Sequence, residues 1–460
     1  MQDVTFVILG ATGDLTKRKV IPAIYQLLKE KRIRKLSIIG AARRDLDIKS
    51  ILTEARSFIK RVNNSIWSKI EKASYYHPLD FYNSEDYEKL KSLIDNLEKK
   101  HRLPGNRLFY LATLPEHFDT ITDNLAKTKL AKESSGQWSR LVYEKPFGSD
   151  LSSARKINHG IGRVFRENQV YRIDHYLGKE LVGNISMLRF TNRILEPLWN
   201  SLHIDSIQVI LKEKLGLEER GNFYDKYGAL KDVVQNHMLQ ILALTAMEAP
   251  KKLNGEFIRN EKSKVLKVTE VEDVLLGQFE GYRTEKGVDE NSNTETFAAL
   301  KLKINNRRWQ NVPIYLKTGK ALKEKETCIY IKFKKATCLL EVCPVESNNL
   351  TIRVQPNEGF SLELFAKIPG EAGKVEKIKM DFSHQCVTKH KSPEAYQVLL
   401  NEVIKGDQSL FVRNDEIESA WTIIDKVEAK KLKVHIYEKG SDGPKELENF
   451  EKKHGMRWIT

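Results

Sequence analysis

The chain has 460 residues, of which 40% are hydrophobic and 30% charged. That length exceeds what one hydrophobic core normally supports, so two domains are expected, and the ordinary globular composition excludes wholesale disorder. Lys plus Arg number 77 against 62 Asp plus Glu, a formal net charge of +15; such an excess attracts polyanions, whether nucleic acid, acidic lipid or small phosphorylated ligands, without choosing among them.

No basic leader precedes a long apolar core in the first ten residues, and the most apolar helical stretch, residues 239–247, is far too short to span a bilayer. Neither secretion nor a membrane partner is expected. Cys328, Cys338, Cys343 and Cys386 form no C-x-x-C pair and no metal-ligand spacing, so free or buried thiols, no bound metal and a reducing, cytoplasmic location are expected.

Residues 4–9 form a continuous apolar run that ends in Gly10-Ala-Thr-Gly-Asp14, followed by a helical pattern through Val20, Ile24, Leu27 and Leu28. This reads as strand, tight turn, helix. Apolar runs at 36–42, 74–79, 107–111 and 141–143 alternate with helix-like stretches that include 116–130 and 151–165. The alternation predicts an α/β Rossmann-type domain over residues 1–174, with a parallel sheet covered on both faces. Beyond it the texture changes. Period-two strands at 204–211 and 296–304, then 312–317, 327–333, 350–355 and 360–365, follow with little helix between the later ones. An α+β domain with a large, mainly antiparallel sheet is predicted over 175–460, closed by helices near 393–404 and 415–429. Residues 285–293 read as loop, and the Lys-rich tail after Glu438 is expected to be mobile.

A glycine turn between a first strand and its helix lets backbone N–H groups approach a pyrophosphate, where the helix N-terminus favours anions. Gly10 and Gly13 stand where such a turn needs them, although Thr12 replaces the second glycine of the usual G-x-G-x-x-G and Leu15 the third. A plain strand-to-helix turn is the alternative. The end of the second strand presents an acid to the ribose hydroxyls of NAD, or an arginine to the 2′-phosphate of NADP. Here Arg43 and Arg44 follow Gly40-Ala-Ala with no acid before Asp45, which favours NADP; a solvated basic face would look the same.

Four segments now converge: residues 10–25 from Gly10 through Pro22 to Tyr25, Glu144-Lys-Pro-Phe-Gly148, Arg172-Ile-Asp-His-Tyr-Leu-Gly-Lys-Glu180 and Gln235-Asn-His237. Together they resemble the glucose-6-phosphate dehydrogenase family, and the likeness continues through residues 309–325 and 353–358. The Arg172 to Glu180 block is the most specific of them. The resemblance implies oxidation of glucose 6-phosphate to 6-phosphogluconolactone with hydride transfer to NADP, the first step of the oxidative pentose phosphate pathway. It implies a homodimer or dimer of dimers built on the antiparallel sheet, and nucleotide contacts at Gly10, Thr12, Gly13, Asp14, Leu15, Arg43, Arg44 and Lys145.

Such a reaction needs a base for the anomeric hydroxyl, and histidine is the natural choice. The pattern Leu230, Val234, His237, Ile241, Leu244 puts His237 on an apolar, inward helix face, a position that a core histidine also occupies; the resemblance makes it the base. Asp174 and His175 are adjacent at the carboxyl end of the last Rossmann strand, and extended neighbours project to opposite faces. Asp174 can therefore face His237 while His175 reaches the substrate phosphate, to which Tyr176 and Lys179 add a hydroxyl and an ammonium. The resemblance alone implies sugar contacts for Glu213, Asp232 and Lys320 and a phosphate contact for Lys325. Asp232 lies five residues before His237, about 140° away around an α-helix, and is expected off the histidine's face. Lys145 resembles the lysine between substrate and nicotinamide; Pro146 confines it to extended conformations and leaves the isomer of their bond open.

Some members of the family carry a second, non-catalytic NADP. Arg353 and Lys317 fit that pattern, but Ser361 and Glu363 stand where a tyrosine and a lysine are expected, which argues against a structural second NADP here. Two other functions stay open at this stage: a related oxidoreductase acting on a non-phosphorylated sugar, and a basic scaffold for nucleic acid. The second lacks a compact basic helix or an aromatic-basic repeat, so no nucleic-acid partner is expected.

Overall fold

The computed structural model describes residues 1–337, 346–371, 374–383 and 393–459. Cys338, Cys343 and Cys386 lie outside the described residues; Cys328 is a buried free thiol. The chain divides into two compact units.

The first unit comprises Met1–Gly178, Lys251–Arg259 and Pro393–Glu418. Its strands are β1 (Gln2–Leu9), β2 (Ile33–Ala42), β3 (Ser74–Pro78), β4 (Arg107–Leu111), β5 (Ser139–Glu144) and β6 (Val170–Ile173). They lie in the order β3-β2-β1-β4-β5-β6, every neighbouring pair parallel, which is the dinucleotide-binding order. Helices cover both faces, so β1 buries successive residues from Val4 to Leu9 and reads as an apolar run without alternation. The sequence reading places a boundary at 174 and one contiguous second domain from 175 to 460, whereas the first compact unit also takes in two later segments. Helix Ala395–Lys405 returns to the first unit and buries Leu399, Leu400, Val403 and Ile404 in one core with Phe6, Ile8 and Ile24. Its apolar face completes that core, and nothing in its local sequence says which sheet it covers.

The second unit comprises Lys179–Pro250, Asn260–Ser392 and Ser419–Thr460. Its strands are β7 (Ile204–Lys212), β8 (Thr269–Phe279), β9 (Phe297–Ile304), β10 (Ile314–Gly319), β11 (Glu326–Phe333), β12 (Asn349–Gln355), β13 (Gly359–Lys367), β14 (Val375–Ser383) and β15 (Val434–Tyr437). They form one sheet in the order β14-β13-β12-β11-β7-β10-β9-β8-β15, antiparallel except for the parallel pairs β7–β10 and β8–β15. The β7–β10 pairing positions chemistry. Lys212 registers with Gly319, so the residues leaving both strands, Glu213 and Lys320, emerge at the same end. Because β9 runs antiparallel to β10 and Phe297 registers with Gly319, the residues entering β9 reach that end too.

The tail after Glu438 is folded, contrary to expectation. Helix Leu447–His454 turns Leu447 and Phe450 inward, and with Trp458 they join Tyr315, Phe297 and Tyr437 in a buried cluster. Its lysines and glutamates occupy the outer face, which made the segment read as charged and unanchored. Among the described residues, no helix is long and apolar enough to cross a membrane.

Candidate active site

In the first unit, β1 ends at Leu9 and the chain turns at Gly10, whose φ of +92° lies in the left-handed region; a Cβ there would fall 2.4 Å from the Ala112 carbonyl oxygen. Only glycine fits such a turn. Gly10 N–H donates to the Ala41 carbonyl at 2.8 Å and Gly13 N–H to the Gly10 carbonyl at 3.1 Å, closing the loop just before the helix. Thr12 and Leu15 are half-buried and Asp14 is exposed, its carboxylate 2.9 Å from Arg18. The next residues, Thr16–Val20, form a π-helical segment that leads into helix Ile21–Lys29. At the end of β2, Arg43 and Arg44 are exposed, and the Tyr76 hydroxyl pins the stretch by donating to the carbonyls of Ala42 (3.2 Å) and Arg44.

At the end of β5, the Lys145–Pro146 bond is cis, and Lys145 is half-buried. The preceding Glu144 carboxyl accepts hydrogen bonds from Tyr110 at 2.5 Å and from Tyr396. Burial pushes it up to about 7, against the lowering effect of those hydroxyls and of Lys145. Part of the residue's surface stays open, yet its carboxyl group is enclosed. After β6, Asp174 is 1% exposed and accepts the Tyr176 N–H at 2.9 Å, so the turn that carries His175 and Tyr176 is built on the Asp174 side chain. Tyr176 is buried, His175 half-buried, their ring centroids 5.0 Å apart.

In the second unit, His237 is 3% exposed and belongs to a nine-residue π-helical stretch, Leu230–Met238. A π-helix closes its hydrogen-bonded rings at i+5 instead of i+4, so residues five apart stack roughly above one another. Asp232 therefore comes close to the face of His237, which corrects the 140° separation an α-helix would impose. Asp232 is buried as well.

At the shared strand end, Lys320 Nζ pairs with Glu213 Oε2 at 2.5 Å and stands 4.9 Å from the ring centroid of Tyr224. Tyr224 is fully buried, and its hydroxyl is held well above its ordinary range by burial first and then by the charge of Asp232, with Glu213 and Glu295 adding to it. Three residues that spacing could not connect, Glu213, Asp232 and Lys320, thus share one electrostatic neighbourhood. Tyr224, at its centre, was not singled out from the sequence; an aromatic in a short helix, Gly221–Ala229, carries no local signal of this kind. Lys179 Nζ donates to Gln355 Oε1 at 2.5 Å, and Gln355 to Thr327 at 2.8 Å. Lys325 is exposed in the loop before β11. Nearby, Lys212 is buried between Glu324 (2.6 Å) and Glu326 (2.8 Å), a pairing that sequence reasoning also missed.

On the sheet, the Arg353 guanidinium is engaged by Ser361 at 2.9 Å and by Asp381. Glu363 accepts from Asn349 at 2.7 Å and faces Lys377 at 3.3 Å. Lys317 is buried against the Trp458 ring, 4.9 Å from its centroid.

Comparison with known proteins bears on what this arrangement belongs to. The family model for the glucose-6-phosphate dehydrogenase NAD binding domain matches residues 7–184, and that for the C-terminal domain of the same enzymes matches residues 186–459. The chain belongs to the glucose-6-phosphate dehydrogenase family. It is 41% identical to the glucose-6-phosphate 1-dehydrogenase of Bacillus subtilis over 477 residues, covering 98% of this chain and 97% of the relative. Against the glucose-6-phosphate 1-dehydrogenase of Chlamydia pneumoniae the identity is 40% over 486 residues, with 98% and 95% covered. A solved glucose-6-phosphate dehydrogenase in complex with its substrate glucose-6-phosphate superposes with a TM-score of 0.94 at 34% identity, covering 100% of this chain and 99% of that one. As a glucose-6-phosphate dehydrogenase family member the chain is an oxidoreductase with a pyridine-nucleotide domain, and its two family segments meet inside helix Glu180–Phe190.

Proposed function

We propose that the chain is an NADP-dependent glucose-6-phosphate dehydrogenase that oxidises glucose 6-phosphate to 6-phosphogluconolactone. The observation that carries this reading is His237: a buried imidazole sharing a π-helical face with Asp232, in a chain matched along both domains of the family.

In this reading His237 accepts the proton of the anomeric hydroxyl while the bond from that carbon to hydrogen breaks. Two electrons leave with the hydride, the carbon–oxygen bond becomes a carbonyl, and the imidazolium later returns its proton to solvent. Asp174 is assigned the carboxylate that stabilises the imidazolium. Glu213, Asp232 and Lys320 hold sugar hydroxyls, while His175, Tyr176, Lys179 and Lys325 hold the phosphate. Lys145 orients the reacting end. When bound, NADP supplies the hydride acceptor. Gly10, Thr12, Gly13, Asp14 and Leu15 would seat its pyrophosphate and Arg43 and Arg44 its 2′-phosphate; the space beside Gly10 that a Cβ would fill and the exposed arginines after β2 support the fit.

A single nucleotide site is supported by the engagement of Arg353 with Asp381 and Ser361. A homodimer on the antiparallel sheet is supported by the exposed Ile378 and Met380 of its outermost strand, β14, and the buried free Cys328 accords with a cytoplasmic location. Purified chain mixed with NADP and glucose 6-phosphate should accumulate reduced nucleotide, faster than with NAD, and inorganic phosphate should compete. No turnover contradicts the proposal, and equal turnover of free glucose would shift it to a non-phosphorylated sugar.

A further inference from the structure

The π-helical stretch that bears Asp232 and His237 begins without a local cap: Ala229 occupies its N-cap position and has no side-chain acceptor to offer. A helix start leaves backbone N–H groups without intrahelical partners. Here two of them are taken up by one residue far along the chain. Glu295 accepts the Ala229 N–H on its backbone carbonyl at 2.9 Å and the Leu230 N–H on its side-chain Oε1 at 2.9 Å. The residue before them, Gly228, has φ +63° and ψ −175°, and a Cβ there would lie 2.4 Å from Glu295 Oε1. Three successive residues at the helix start are therefore wrapped around Glu295, and glycine is required because a side chain would displace that carboxylate.

Glu295 is itself anchored. It lies two residues before β9, and Thr296 between them accepts the Lys320 N–H on its carbonyl at 2.9 Å. The position that holds the helix start is thus joined to the sheet end that holds Glu213 and Lys320.

We propose that Glu295 is a positioning residue for the reaction: its carboxylate fixes the start of the helix that carries Asp232 and His237, and its charge state sets how firmly that helix is held. The inference rests on the reading of His237 as the base. A carboxylate at a helix start is favoured by the helix dipole, so the ionised form grips more strongly than the neutral acid. The groups facing it are Lys231 from the same helix, which pairs with Glu428 at 3.1 Å, Glu428 itself, and the hydroxyls of Tyr224 and Tyr282. Lys431 and Lys433 line the cavity of about 520 Å³ beside it. Burial pushes the Glu295 carboxyl up to about 7, with Glu428 adding to the rise and the Leu230 N–H opposing it, so its charge changes within the working range of an imidazole base.

The test compares full-length parent, Glu295→Gln and Glu295→Ala by amide hydrogen exchange and steady-state kinetics. Glu295→Ala should lose exchange protection at residues 229–232 and lower kcat about 10- to 100-fold, the scale of a small misplacement of a catalytic group, with KM for NADP unchanged. Glu295→Gln keeps an acceptor oxygen and should restore most of the protection, but its kcat–pH profile should lack the partial inflection near neutral pH that is expected of the parent. Parent-like protection and kcat in Glu295→Ala, or a Glu295→Gln profile superposable on the parent's, would overturn the proposal; the second comparison holds even if Glu295→Ala does not fold. If His237→Ala retains turnover while Glu295→Ala still loses protection, the base assignment fails and the helix-holding role stands.

Discussion

Glu144 shows how much a single buried carboxyl can decide. It follows directly from burial at the end of β5 that its folded pKa, about 7, stands above its ordinary value of 4.5. The folded protein therefore binds this proton more tightly than the unfolded chain. The stabilising effect is complete below pH 4.5 and disappears as pH rises through 7, where keeping the charge buried costs up to about 3 kcal/mol. Glu144→Gln should accordingly raise the melting temperature at pH 8 and leave it nearly unchanged at pH 5. Thermal unfolding at the two values checks this, and a lower melting temperature at pH 8 would contradict it. At this scale the sequence was legible wherever chemistry is local. Gly10 announces a left-handed turn, and Arg43 and Arg44 follow a strand end. Glu144 was not legible, because its two partners, Tyr110 and Tyr396, come from β4 and from a helix near the end of the chain.

At the scale of the element, the most consequential departure is the π-helical stretch Leu230–Met238. Its hydrophobic pattern reads as an ordinary helix, and a period of 3.6 sends Asp232 away from His237. The first N–H groups of the stretch are captured by Glu295, a contact from far along the chain that leaves no mark on the local sequence. With both residues on nearly one face, the proposed sugar contact of Asp232 can be tested beside His237. Asp232→Ala should raise KM for glucose 6-phosphate about 10- to 100-fold, the worth of a hydrogen bond to a charged group, with KM for NADP unaffected; equal effects on both would show a general loss of structure instead. The parallel β7–β10 pair was hidden for a related reason. A strand's own residues do not state its neighbour, so the meeting of Glu213 and Lys320 follows from topology alone.

For the whole molecule, composition and alternation sufficed for the two-domain architecture and its two kinds of sheet. They failed where distant segments return, as with helix Ala395–Lys405, and where a charged surface conceals an apolar anchor, as in the tail. Truncation before Leu447 would remove Leu447, Phe450 and Trp458 from the cluster around Tyr315. At about 1.5–3 kcal/mol for each large apolar side chain, the loss should lower the melting temperature by many degrees, and an unchanged melting curve would refute the anchoring role. The positive charge of the chain, +15, acts over longer range: it suits an enzyme whose ligands are a dianionic sugar phosphate and a polyanionic nucleotide. All of these features serve one chemical claim, that His237 takes the proton as the sugar is oxidised. The direct measurement is kcat for NADP reduction by glucose 6-phosphate in parent and His237→Ala, each shown to be folded. The predicted result is a loss of about 10²–10⁴-fold with little change in KM for NADP; turnover of His237→Ala at the parent's rate would contradict it.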